Sequence, residues 1–173
     1  MTEGAQTPGT RVVDGRTVPE AGTWEIDPSH QAFEFIARHL MAKVRGRFPA
    51  ASGVATIAEV PEESTLEIEI DASSVDTKDE TRDAHMRSND FFGVEEHPTI
   101  SFRSTGVRPG DEDHRWKVDG DLTIRGVTHP VTVDIEFLGS GLDPWGNKRI
   151  GFSGVVPQVN REDWGLVWNA PLE

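Results

Sequence analysis

The chain has 173 residues, 35% of them hydrophobic and 27% charged, which is enough for one soluble domain with a sizeable core and too apolar for a disordered chain. Its formal charge of −13 excludes the basic face that a nucleic-acid binder needs, and it contains no run of about 18 apolar residues to span a membrane. Cysteine is absent, which removes disulfides, thiolate nucleophiles and Cys-ligated metals together.

Residues 1–9 are small and polar and read as a tail. They hold no basic region followed by an apolar stretch, so no secretory leader is read and a cytoplasmic location is expected. Val12 to Val18 is expected to form a hairpin about Asp14-Gly15, a pair that supplies the positive φ angles of tight hairpin turns, and Pro19 should end it.

From Trp24 onward apolar residues recur every second position. Phe33 and Phe35 flank Glu34. Leu66, Ile68 and Ile70 alternate with Glu67, Glu69 and Asp71. Trp116, Val118, Leu122 and Ile124 alternate with charged or polar residues, as do Val131, Val133, Ile135 and Phe137, then Ile150 and Phe152. Successive side chains of a strand face opposite sides, so each segment has one apolar and one polar face. Turn signals separate them at Pro61–Ser64, Pro109–Asp111, Arg125–Thr128 and Asp143–Asn147. This predicts an all-β, antiparallel sandwich or barrel in a single domain. Gly46, Gly53, Gly120 and Gly154 fall inside strand patterns and are expected to mark bulges or sharp bends. Asp79–Arg87 alone lacks the two-residue period. It is acidic at its start and basic at its end, which predicts one short helix, followed by a turn into Phe91-Phe92.

Several blocks then resemble the YceI-like family: Trp24–His30 with Phe33, Phe35 and His39, Lys43–Phe48, Arg82–Ser88 with Asp90–Phe92, His97–Phe102, Gly120–Thr128 and Asn160–Gly165. They follow the family's order from Trp24 onward. The resemblance implies an eight-stranded antiparallel lipocalin-like barrel over 24–173, preceded by an extension over 1–23. It also implies a polyisoprenoid tail held in an internal tunnel, and a homodimer. Family members continue beyond the equivalent of Trp168–Glu173 into a final strand, so here the last strand is expected to be absent or replaced.

Phe33, Phe35, Phe102, Leu122 and Phe152 are candidate tunnel residues, with core filling as the plain alternative. The resemblance adds His39, Met86, Phe91, Phe92 and Trp164. Arg38, Arg82, Arg87 and Arg161 are candidates for a polar head group because forked guanidinium donors suit phosphate, although surface ion pairing explains them as well. Asp83 and His85 could form an acid/base pair in a lipid-modifying enzyme, but no Ser or Thr nucleophile is tied to them by spacing, and a structural network is the favoured reading. The six histidines show no metal-ligand spacing, and His30 and His39 are expected at opposite ends of one strand. The Gly-rich pieces follow no phosphate-binding signature. The sequence thus points to a carrier of a long apolar ligand with no cofactor, no nucleic-acid partner and no stable membrane insertion.

Overall fold

A computed structural model describes residues 7–39 and 41–169. Asp14 and Gly15 both take positive φ, 50° and 78°, and fold β1 (Thr10–Val13) back onto β2 (Arg16–Pro19). After β3 (Gly22–Glu25) the chain leaves to make the separate hairpin β4 (Glu34–His39) and β5 (Ala42–Arg47), then returns as β6 (Ala51–Ile57) to pair with β3. β7 (Thr65–Asp71), helix α1 (Glu80–Arg87), β8 (Thr99–Pro109), β9 (Arg115–Ile124), β10 (Val127–Leu142) and β11 (Lys148–Val155) follow. Asp79 caps α1 by accepting from the backbone N–H of Arg82, which satisfies a donor that the first helical turn leaves free.

Seven strands form one antiparallel sheet in the order β11-β10-β9-β8-β7-β6-β3, curled into the half-barrel of a lipocalin-like fold. Among the described residues the sheet thus holds seven strands, against eight in a closed ring. The β4–β5 hairpin bonds to itself, its ladder extended by the Phe48 N–H donating to the Phe33 carbonyl, and its backbone meets the remainder at an isolated Arg47–Asp76 bridge. After β11, residues 156–169 add no strand; they include a short 3-10 helix, Arg161–Trp164, ended by Gly165 at φ 80°. Side chains bridge the two edges of the curled sheet. Lys148 at the start of β11 pairs with Glu20 at 2.5 Å, and Arg149 with Asp27 at 3.0 Å, the two acids flanking β3 in sequence.

The alternation read from the sequence sorts the two faces. Trp116 and Val118 are buried on the concave side, whereas Lys117 and Asp119 face outward into ion pairs with Asp134 (2.6 Å) and Arg108 (3.0 Å). The glycines expected at bulges mostly do something else. The register shifts lie between Ser104 and Gly106 and between Phe137 and Gly139. At Gly46 and Gly120 a facing aromatic ring occupies the space of the missing side chain: a Cβ on Gly46 would lie 2.1 Å from the Phe35 ring, and one on Gly120 2.4 Å from that of Phe102. Gly53 likewise faces Ile26. Because the Arg103 carbonyl also lies 2.6 Å from that position, Gly120→Ala cannot be absorbed by ring rotation alone. It is expected to destabilise the barrel by about 1–3 kcal/mol, the usual cost of overpacking. Chemical denaturation checks this, and an unchanged midpoint would show that the Phe102 ring has other room.

Candidate functional site

The concave face of the sheet borders a cavity of about 3100 Å³, several times the volume of a drug-sized pocket. Every strand of the curled sheet contributes: Trp24, Ile57, Ile68, Phe102, Val118, Ile135 and Ile150 are inward side chains of β3, β6, β7, β8, β9, β10 and β11. The β4–β5 hairpin covers part of it with Phe35, Ala37 and Val44. The lining is apolar because a half-buried strand puts its hydrophobic alternates on one side.

Of the residues singled out by sequence, Phe33, Phe35, Met86, Phe91, Phe92, Phe102, Leu122 and Phe152 border this cavity. Five of them, Phe33, Phe35, Met86, Phe92 and Leu122, also pack on the buried cluster of Phe48, Ala72, Val75 and Ile100. They are therefore core on one side and cavity wall on the other. Trp164 is placed elsewhere. It is 3% exposed, its indole N–H donates to the Leu122 carbonyl at 2.9 Å, and its ring meets His129 edge-on at 5.2 Å. That position seats the 3-10 helix against the barrel wall. His39 ends β4, and its side chain lies outside the described residues. His30 lies in the Asp27–His30 turn that precedes β4, not within the strand, because its ring nitrogen bonds Asp27 at 2.9 Å. Among the described residues no three His, Asp or Glu side chains converge as metal ligands.

The polar candidates separate too. Arg38, Arg82 and Arg161 border the cavity and Arg87 does not. Arg82 spends two donors on Thr77, Nε to Oγ1 at 2.7 Å and Nη2 to the carbonyl at 2.9 Å. Asp83 is buried and accepts from the N–H and hydroxyl of the same Thr77 at 2.8 and 2.6 Å. His85 instead bonds Asp90 at 2.8 Å. Asp83 and His85 are therefore not a pair: one anchors the start of α1 and the other borders the cavity. There His85 is flanked by Phe91 and Trp168 with ring centroids 5.1 and 4.4 Å away, and the Arg161 guanidinium sits 5.6 Å over Phe91 while donating to Asn169 at 2.8 Å. This part of the cavity border thus combines aromatic faces with a cation. Sequence reasoning passed over Trp168 and Trp116. The alternation around Trp116 was visible, whereas Trp168 lies in no periodic segment.

At the seam, Asp143 is held down to about 2 by hydrogen bonds from Asn147 first and also from Arg149, and Asp27 to about 2 chiefly by the Ser29 backbone N–H and then the His30 ring. On the outer ladder, Arg108 and then Thr132 hold Asp119 at about 2. A depressed carboxylate pKa stabilises the fold above its unfolded value, and that contribution is lost as pH falls through the folded value. The fold is therefore expected to keep the contribution of these carboxylates above about pH 4 and to lose it between about 4 and 2. Melting curves across that range measure it. A melting temperature that stays constant down to pH 2 would show that these carboxylates do not stabilise the fold.

Among the described residues no helix is long and apolar enough to cross a membrane. A UPF0312 protein of Staphylococcus aureus is 38% identical over 151 residues, covering 86% of this chain and 84% of its own length. One from Pseudomonas paraeruginosa is 39% identical over 150 residues, covering 84% and 77%. Among solved structures, the Campylobacter jejuni YCEI protein superposes with a TM-score of 0.65 at 30% identity, covering 81% of this chain and 82% of that one. Burkholderia cenocepacia BcnA shares the fold with a TM-score of 0.74 at 21% identity, covering 83% and 86%. The sequence model of the YceI-like domain matches residues 24–173, and the chain belongs to that family.

Proposed function

We propose that this protein binds one long apolar lipid, of the polyisoprenoid class, inside the curled sheet, and stores or carries it without chemical change. The observation that carries this is the cavity itself: about 3100 Å³, bordered by inward apolar side chains from all seven strands. Each CH₂-sized group moved from water into such a lining gains about 0.8 kcal/mol, so a long tail needs no hydrogen bond along its length. Selection then rests on tail length and on the head group. Arg161 and Arg38 are the proposed head-group contacts, with Arg82 limited by its bonds to Thr77. The separation of Asp83 from His85 favours binding over acid/base chemistry. The homodimer belongs to the same proposal and is read by sedimentation velocity.

The test is organic extraction of protein purified under native conditions, followed by mass spectrometry. One intact prenyl lipid in near-stoichiometric amount is expected. Protein free of lipid that also fails to take up added polyprenol would overturn the reading.

A further inference from the structure

We propose that the N-terminal hairpin, residues 7–20, is a stopper that closes the end of the cavity away from α1, and that Val18 sets the longest tail the protein accepts. The proposal rests on the lipid-binding reading above. It concerns a segment that precedes the part of the chain matched by the family.

The connections β6–β7, β8–β9 and β10–β11 gather at one end of the half-barrel, because antiparallel strands put alternate connections at the same end. The β1–β2 hairpin is tied to all three sides of that end. Arg11 donates to the carbonyls of Ala58 (2.6 Å) and Glu59 (2.8 Å) in the β6–β7 connection. Arg16 donates to the carbonyls of Gly110 and Glu112, each at 2.8 Å, in the β8–β9 connection, and its guanidinium lies 5.4 Å from the Trp116 ring centroid. The Ser140 hydroxyl donates to the Pro8 carbonyl at 2.6 Å, and Glu20 pairs with Lys148, which joins the hairpin to β10 and β11. Loop carbonyls left without strand partners need donors, and a guanidinium serves two or three at once in charge-assisted bonds. The hairpin is thus fixed by the rim rather than resting on it.

Its inner surface is apolar. Val18 is 1% exposed, and Val18 and Pro19 both border the cavity, whereas Val12 on the partner strand is 64% exposed. Gly9 adds close contact, since its Cβ position would lie 3.1 Å from Ser140 and 3.8 Å from Ile150, itself a cavity residue. Val18 borders the cavity while almost fully enclosed, so a larger residue there must displace its neighbours or extend into the cavity. A tail that reaches this wall must leave its remaining carbons in water. Each CH₂ left out lowers affinity about four-fold, so a sharp length limit follows.

The test measures the affinity of farnesol, geranylgeraniol and solanesol, as probes of rising length, for the full chain and three variants. Wild-type affinity is expected to rise with length and then stop rising. Val18→Trp should move that limit to shorter tails, weakening the best long probe about ten-fold or more while leaving farnesol unchanged. Val18→Ala should shift the limit the other way, and Arg11→Ala/Arg16→Ala, which frees the hairpin from the rim, should blur or abolish it. Thermal melting identifies variants that fold, and if the double variant does not, Val18→Trp decides. A limit that stays put in every folded variant, or no limit in the wild type, would overturn the stopper. Failure of the wild type to bind any of the three probes would overturn the lipid reading instead.

Discussion

Phe102→Glu is expected to abolish lipid uptake and to cost the barrel several kcal/mol of stability. Phe102 is 6% exposed, borders the cavity and fills the space above Gly120, between Ile68 and Leu122 on the neighbouring strands. Losing the ring alone costs about 3–5 kcal/mol, as for other buried aromatics. The carboxyl that replaces it finds no cation on the concave face of β8, so it either pays for an unpaired charge or stays protonated at a raised pKa. Phe102→Leu separates the two effects, since it keeps the site apolar and should retain binding at a smaller loss of stability. Phe33→Glu should act in the same direction. Lipid occupancy by native mass spectrometry, read beside melting curves, is the measurement. A folded Phe102→Glu protein with full occupancy would remove this residue from the ligand's path.

Delipidated and refolded protein is expected to melt about 5–10 °C below the loaded form. A ligand that binds only the folded state adds RT ln(1 + [L]/Kd), about 2.7 kcal/mol at a hundredfold excess, and about 1 kcal/mol moves the melting temperature of a chain this size by about 2–4 °C. The structural reason is the division of labour among the aromatics. Phe35, Phe48 and Phe92 pack ring on ring at 5.5 and 5.7 Å and supply a core near α1 that needs no ligand. Trp116, Val118 and Ile135 border the cavity, and a tail lying there adds dispersion contacts to those they already make. Near-UV circular dichroism should change with loading more than far-UV, because backbone pairing does not depend on the tail. Equal melting temperatures with and without added polyprenol would mean that the concave face is already packed.

Local patterning was enough to read several of the elements. The two-residue alternation of Leu66–Ile70, Trp116–Ile124 and Val131–Ile135 identified strands and the face each would bury, Asp14-Gly15 identified the first hairpin, and the charge order of Asp79–Arg87 identified the helix. These signals act through neighbours in sequence, where backbone sterics and side-chain direction suffice. The same alternation could not say what lies across the strand. Gly46 and Gly120 read as bends because a glycine's meaning depends on the ring opposite it, and only the register brings Phe35 and Phe102 there. His85 turned to Asp90 and Asp83 to Thr77 because the end of α1 and the turn after it set distances that spacing along the chain does not encode.

The division is sharpest at the two ends of the cavity. The composition and period of this chain determined an all-β fold with an apolar interior face, and the order of its motifs pointed to the family. The tertiary structure alone decided that Arg11 and Arg16 reach across about 50 and 100 residues of chain to hold a hairpin over one end, and that Trp168 meets His85 and Phe91 at the other. Those contacts are long-range, carry no period, and use carbonyl oxygens that every residue has, so no pattern of residue types could announce them.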